Sequence, residues 1–136
     1  MTAKYFVDTN VLLYRYCNQD ADKRQIVAHL LNASDCIISV QVVNEFCNVT
    51  RRKFPAQFTI IEPVLQKIKD ALPIETLLLE DSLAAVRISQ QHNFQYYDAL
   101  ILASALRLGC EAVLSEDMQH GFVLYNRLAL VNPFIL

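Results

Sequence analysis

The sequence predicts one α/β domain, residues 1–136, with a mainly parallel sheet of about four to five strands and helices on both faces. Short apolar strands alternate along the chain with helical periodicity, an order typical of parallel sheets. Segment 96–108 is apolar nearly all round, which predicts a helix buried against a sheet. The chain of 136 residues suits one domain, and its 54% of hydrophobic residues can fill the core.

The elements follow from apolar runs and from residues that start or stop them. The predicted strands are 5–7, 36–38, 75–79, 112–114 and 128–131, and Pro133 is expected to confine the last one to the sheet edge. The predicted helices are 11–16, one opening near Asp22, 40–52, 56–72, one opening at Asp81 or Ser82, and 96–108. Gly109 predicts the end of the last helix.

Composition excludes several kinds of site. Only two glycines occur, so the chain has no glycine-rich phosphate loop. The net charge of −2 permits an RNA partner but does not indicate one.

The four cysteines form no C-x-x-C pair, and no signal peptide or bilayer-spanning apolar stretch is evident. We therefore expect reduced cysteines and a cytoplasmic protein that does not contact a membrane.

Two carboxylates directly follow predicted strands. Asp8 follows strand 5–7, and Asp117 follows strand 112–114 after Ser115 and Glu116. Open α/β sheets bind ligands outside the carboxyl ends of their strands, so these side chains are expected to meet there. Glu116 neighbours Asp117, and either could be the carboxylate that reaches the site.

Two further carboxylates lie in helices at positions that face the core. Glu45 shares the apolar stripe of Val42 and Val49, where an unpaired charge would cost several kcal/mol. It could instead pair with an arginine or extend to the stripe's edge. Asp98 lies in the first turn of helix 96–108, where it could simply cap the helix or favour its dipole.

Four carboxylates brought together would repel each other unless a hard cation neutralised them. Mg²⁺ or Mn²⁺, as one or two ions, suits an all-oxygen set, whereas no Cys/His pairing suits zinc. Such ions can activate water for phosphodiester cleavage. Asn10 and Ser115 are expected to hold a site carboxylate or a metal-bound water. The run Arg51, Arg52 and Lys53 either contacts substrate phosphates or complements a helix C-terminus.

Four segments, FVDTNVLLY, VNEF, YYDALILASAL and LSEDMQHG, resemble PIN-domain ribonucleases, and most closely the VapC-type toxins of bacterial toxin–antitoxin modules. The resemblance spans essentially the whole chain and implies a three-layer α/β/α sandwich. It implies Mg²⁺- or Mn²⁺-dependent endonucleolytic cleavage of RNA. It also implies a homodimer and a cognate antitoxin whose tail covers the active-site groove. The matching acidic residues are Asp8, Glu45, Asp98 and Asp117, and their polar companions are Asn10 and Ser115.

Two other functions fit parts of the sequence. A catalytically silent PIN-like module would bind RNA or protein and keep the acids for an ion or for structure. A phosphotransfer domain also places Asp at the end of its first strand. However, the phosphatase pattern requires a second Asp where Asn10 stands, and the acidic pair and late Lys of a receiver domain are not visible.

Overall fold

The apolar run that follows Lys4 forms the centre of the sheet. In the computed structural model, which describes residues 3–17 and 20–135, six strands make one sheet. The strands are β1 (Lys4–Val7), β2 (Asp35–Ser39), β3 (Ile74–Glu75), β4 (Ala112–Leu114), β5 (Val123–Leu124) and β6 (Leu128–Val131). Their spatial order is β3-β2-β1-β4-β6-β5, and every neighbouring pair is parallel except β5 with β6. The predicted α/β class and mainly parallel sheet are confirmed, with one strand more than expected.

Helices cover the sheet to give the α/β/α sandwich. In the described part of the chain they are α1 (Thr9–Tyr16), α2 (Ala21–Ala33), α3 (Val40–Lys53), α4 (Pro55–Phe58), α5 (Ile61–Ala71), α6 (Leu79–His92) and α7 (Tyr96–Arg107). One group consists of α1 packed on α2 and α3, with α2 and α3 against β2. The other consists of α6 packed on α7, with α7 against β4 and β6.

Helix α7 is the buried helix that the sequence predicts. All seven residues from Ala99 to Ala105 are buried. Strand residues Phe6, Val113 and Leu130 stand opposite each other in register and are also buried. Each large apolar side chain buried in this way stabilises the fold by roughly 1.5–3 kcal/mol. The helix that carries Asp98 is therefore held firmly against the sheet.

The pairing of β1 with β4 fixes where the candidate site lies. Val7 is in register with Leu114, and the backbone N–H of Asp8 donates to the Leu114 carbonyl at 3.0 Å. The chain leaves both strands at the same edge, so Asp8 and the 115–117 segment emerge side by side.

The predicted helix 56–72 is wrong as a single element. The chain forms α4, a break at Thr59 and Ile60, and then α5. Pro63 explains the break, because its ring lacks an N–H and is tolerated only in the first turn of a helix. It is the third residue of α5, so a new helix begins just before it.

Two predicted boundaries around β3 are also wrong. The predicted strand 75–79 is shorter, Ile74–Glu75, and α6 already begins at Leu79. The Asp81 carboxylate accepts the Leu78 N–H at 3.0 Å and also binds Arg107, with the guanidinium Nε 2.7 Å from Oδ1. This buried acid therefore stabilises the start of the helix from inside its first turn.

The predicted edge position of 128–131 is wrong as well. Strand β6 lies between β4 and β5, and β5 forms the edge. Strands β5 and β6 are joined through Tyr125 and Asn126, whose φ angles of 52° and 55° are typical of a tight hairpin turn. Glycine usually marks such turns in a sequence. Because this turn contains no glycine, the sequence did not predict β5. Pro133 lies beyond the end of β6 and does not affect its pairing.

Three smaller features complete the comparison. Asp20, and not Asp22, caps α2 by accepting the Lys23 N–H at 3.1 Å. All four cysteines are free, as expected. None of the helices within residues 3–17 and 20–135 has the length and apolar character needed to cross a bilayer.

Candidate active site

Asp8 lies between the end of β1 and the start of α1. Its carboxylate caps α1 by accepting the Thr9 N–H at 2.8 Å. The same carboxylate accepts the Ser115 hydroxyl at 2.8 Å and the Asn10 side-chain amide at 3.2 Å. Only 5% of Asp8 is exposed. Three neutral donors therefore hold a buried acid at the carboxyl end of the central strand.

The surroundings of Asp8 make its negative charge costly. Burial raises its pKa, hydrogen bonds from Ser115 and Thr9 lower it, and the charges of Asp98 and Glu45 raise it further. The resulting pKa is about 6, compared with 3.8 for an unperturbed aspartate. A carboxyl shifted this far by burial and by other acids is typical of functional sites.

Glu45 projects from α3 toward α1 and α7. Its Oε2 accepts the Thr9 hydroxyl at 3.1 Å, and its Oε1 accepts the Gln41 side-chain amide at 2.7 Å. Within the described ranges, no lysine or arginine lies within ion-pair distance of Glu45. The arginine-paired alternative is therefore not observed, and neutral donors hold this acid too.

Asp98 lies in the first turn of α7, as predicted. The residue that caps this helix is Gln95, whose side-chain oxygen accepts the Asp98 N–H at 3.2 Å. Burial, followed by the charges of Glu45 and Asp117, raises the pKa of Asp98. The capping alternative for Asp98 is therefore wrong, because Gln95 caps the helix, whereas its position in the first turn is still favourable for the helix dipole.

Asn10 connects the ends of β1 and β4. Its amide nitrogen lies within hydrogen-bond distance of Asp8, Ser115 and Asp117, at 3.2, 3.3 and 3.1 Å. Its amide oxygen accepts the Glu116 N–H at 3.0 Å. Both polar residues proposed as companions of the acids, Asn10 and Ser115, thus contact the acids directly.

The structure separates Asp117 from Glu116. Asp117 is exposed and accepts from Asn10 at the cavity that Asp8 also lines. Glu116 forms an ion pair with Lys23 and accepts the Tyr14 hydroxyl at 2.7 Å. Because Lys23 and Tyr14 hold Glu116, the geometry favours Asp117 as the fourth acid of the site.

A single cavity of about 280 Å³ brings the four acids together. Its lining comprises the four acids, polar and apolar residues of α1 and α3, and two basic residues: Asp8, Thr9, Asn10, Leu13, Glu45, Val49, Arg52, Lys53, Asp98 and Asp117. Arg51 belongs to the same exposed basic run but does not line this cavity. A lining that combines four acids with two cations suits a phosphate held through a metal ion.

The acids surround the cavity without forming a finished coordination shell. Among residues 3–17 and 20–135, no three acidic, histidine or cysteine side chains are close enough, as placed, to share one ion. The predicted convergence is therefore a shared cavity, in which burial first, and then the charges of the other acids, raise the pKa of Asp8 and of Asp98. The all-carboxylate donor set still fits a hard divalent cation.

Sequence reasoning missed three residues that position the acids. Thr9 and Gln41 hold Glu45, and Lys23 holds Glu116. Gln41 stands four residues before Glu45, a spacing that places the two side chains together on a helix and could have been recognised. Thr9 and Lys23 act through tertiary contacts that no local pattern indicates.

This arrangement defines a class: an α/β protein with an acidic site beyond the carboxyl ends of its central parallel strands. The family model described as the PIN domain matches residues 5–122. The chain therefore belongs to the PIN-domain family, which confirms the resemblance in its sequence. No curated protein sequence matches the chain significantly.

Solved structures show the same fold. A toxin–antitoxin complex from Klebsiella pneumoniae has a TM-score of 0.72 at 18% identity, covering 97% of this chain and 99% of that one. FitAcB from Neisseria gonorrhoeae gives the same four values. VapC20 from Mycobacterium tuberculosis, a sarcin–ricin loop cleaving toxin, has a TM-score of 0.68 at 16% identity, covering 83% and 91%. At these identities the similarity establishes the fold.

The raised pKa of Asp8 predicts an unusual pH dependence of stability. The folded protein binds a proton at Asp8 more tightly than the unfolded chain does, so stability falls as the pH rises from about 4 to about 6. In EDTA, the loss due to this group should be on the order of 3 kcal/mol. Asp8→Asn should remove it, as measured by urea unfolding at a series of pH values.

Asp70→Asn, at an exposed position on α5, is the matched control and should keep the wild-type pH dependence. Parallel stability curves for Asp8→Asn and the wild type across this range would contradict the assigned pKa.

Proposed function

We propose that this chain is a metal-dependent endoribonuclease and the toxin of a toxin–antitoxin pair. The observation that carries the proposal is the cavity that four acids, from four distant segments, line together with Arg52 and Lys53. Membership of the PIN-domain family supports it. The proposed reaction is hydrolysis of an RNA phosphodiester bond.

Asp8, Glu45, Asp98 and Asp117 would hold one or two Mg²⁺ or Mn²⁺ ions. A bound ion would supply an activated water and stabilise charge on the phosphate and the leaving oxygen. Because the acids line the cavity without sharing an ion as placed, binding requires them to turn inward. Their present partners are mostly neutral hydrogen-bond donors, which can be exchanged at small net cost.

The neighbouring residues have distinct positioning roles in this proposal. Ser115 and Asn10 fix Asp8, while Thr9 and Gln41 fix Glu45, so each acid is oriented by a partner that carries no charge. Arg52 and Lys53 would contact backbone phosphates of the RNA. No side-chain nucleophile is required.

The proposed partner is a cognate antitoxin that covers the acidic cavity. The similar structure from K. pneumoniae supports this partner, because it is described as a toxin–antitoxin complex. The free cysteines agree with action in the cytoplasm, where we expect the RNA substrate to be met. Coexpression with the product of the adjacent gene tests the partner, and failure to copurify would count against it.

We also infer a homodimer formed through α6. Leu79, Leu83 and Val86 follow one another at intervals of four and three residues, with exposed fractions of 73%, 53% and 43%. They form an apolar stripe on the surface of α6, whereas Ala85 and Ile88 are buried. Exposed apolar patches of this kind mark interaction sites, and a stripe on one helix can pair with its own copy around a two-fold axis.

Metal-dependent cleavage is the direct test of the proposed function. The purified protein should cut single-stranded RNA internally with Mn²⁺ or Mg²⁺ and should not cut it with EDTA. Asp8→Asn and Asp98→Asn should lower kcat/KM by about two orders of magnitude or more. Circular dichroism should show that both variants remain folded.

Cleavage that survives EDTA and both substitutions would rule out the metal mechanism. A wild-type protein that binds RNA without cutting it would instead favour the silent binding module.

Arg52 and Lys53 should contribute to the salt dependence of RNA binding. With Ca²⁺ replacing Mn²⁺, Arg52→Glu and Lys53→Glu should each weaken binding and reduce the slope of log K against log salt by about 0.7 or more. Arg51→Glu changes an adjacent basic residue that does not line the cavity and should have a smaller effect. Equal slopes for all three variants would show that the cavity lining has no special role.

Replacing the centre of the α6 stripe should break the homodimer. Leu83→Asp should give a monomer in sedimentation velocity experiments, because a charge would be buried in an apolar interface. Val123→Asp, at an exposed position on edge strand β5, should leave the dimer intact. A wild-type monomer, or a Leu83→Asp dimer of unchanged affinity, would reject this interface.

A further inference from the structure

A second cavity adjoins the acidic one. It has a volume of about 480 Å³, within the usual range for small-ligand sites. Glu45 and Asp98 line both cavities and thus form the wall that the two share. The rest of its lining is amide, aromatic and apolar: Gln41, Asn44, Leu77, Gln95, Tyr97 and Leu100.

Tyr97 is the aromatic residue that lines this cavity. The residue is 58% exposed, which is high for an aromatic residue. Its backbone carbonyl accepts the Gln41 side-chain amide at 3.0 Å, and its ring meets Tyr96 edge-on at 5.5 Å. The main chain is therefore anchored while much of the side chain is left exposed, an arrangement suited to stacking with a planar ligand.

The amides around the cavity can recognise a polar edge. Gln41 is only 6% exposed, and both of its described hydrogen bonds use the amide nitrogen. Its amide oxygen is buried and has no hydrogen-bond partner among the described residues. Buried polar atoms are rarely left in this state. Asn44 is exposed on the next turn of α3 and offers both a donor and an acceptor.

We propose that this second cavity binds an unpaired nucleobase of the RNA, beside the phosphate to be cut. The inference rests on the proposed nuclease function and adds a subsite to it. The carboxylates of the shared wall disfavour an anion here, whereas Arg52 and Lys53 in the acidic cavity favour the phosphate. A base is neutral and planar, and it has donors and acceptors on its edge that amides can read.

The central experiment compares Tyr97→Ala with the wild type on short single-stranded RNAs. The RNAs differ only in the base next to the cleaved bond, and KM and kcat are measured separately with Mn²⁺. Tyr97→Ala should raise KM about tenfold and reduce the preference among bases, since stacking is lost. Its kcat should stay within about twofold of the wild type. Tyr97→Phe keeps the ring and should restore both KM and preference.

Two further variants sharpen the test. Tyr125→Ala removes an exposed aromatic ring outside both cavities and should leave KM and base preference unchanged. Asn44→Ala should change the ranking of the four RNAs, because it removes one group that reads the base edge. With Ca²⁺ in place of Mn²⁺, an RNA carrying 2-aminopurine next to the cleavage site should be quenched by the wild type and not by Tyr97→Ala.

The outcomes distinguish this inference from the function on which it rests. Metal-dependent cleavage by the wild type, with unchanged KM and base preference in Tyr97→Ala, would overturn the base subsite and leave the nuclease standing. Unchanged 2-aminopurine quenching in that variant would do the same. A Tyr97→Ala variant that lost only antitoxin binding would make the cavity a protein contact. A wild type without metal-dependent cleavage would overturn both proposals.

Discussion

The site depends on the parallel pairing of β1 with β4. These strands are joined by a long connection, yet their register places Val7 beside Leu114 and ties the Asp8 N–H to the Leu114 carbonyl. Sliding this pairing by one residue would turn each side chain to the other face of the sheet. Asp8 and Asp117 would then no longer face one cavity. Sheet register, set by apolar burial, thus determines where the acids meet.

Electrostatic repulsion is the second constraint on the site. In the part of the chain that the structure describes, no salt bridge neutralises the four acids. Asp8 and Glu45 are held by hydroxyl and amide donors from Thr9, Ser115 and Gln41. By contrast, the nearby Glu116 is paired with Lys23. The negative charge of the site is therefore left for a cation to neutralise. The charge of Glu116 is instead neutralised by Lys23, and this ion pair fixes the loop after β4.

The sequence was sufficient for the parts of the fold in which local pattern and burial agree. Helix α7 and strand β4 could be predicted because their apolar runs are continuous and end at glycine or at polar residues. The break between α4 and α5 was missed because the apolar stripe predicted one continuous helix in spite of Pro63. Strand β5 was missed because its turn uses Tyr125 and Asn126 with positive φ instead of glycine.

The candidate site, like the fold, could be predicted only where a local sequence pattern indicated it. Strand-end acids and the Glu45 stripe were visible, since a charge in an apolar pattern requires a partner. The choice of Asp117 over Glu116 was not visible, because it depends on Lys23 and Tyr14, which are distant in sequence. The second cavity was also out of reach, since α3, α7 and the loop at Leu77 meet only in three dimensions.

The bridge from Asn10 to Asp117 spans 107 residues and has a consequence for synthesis of the chain. A growing polypeptide contains Asp8 and Glu45 long before the strand that positions Asp117 has been made, and Asp98 only shortly before it. Contacts this distant in sequence form late, because closing long loops costs entropy. Until residues 112–131 join the sheet, a nascent chain carries only an incomplete acidic cavity. A reaction that needs all four acids can therefore begin only after nearly the whole domain has been translated.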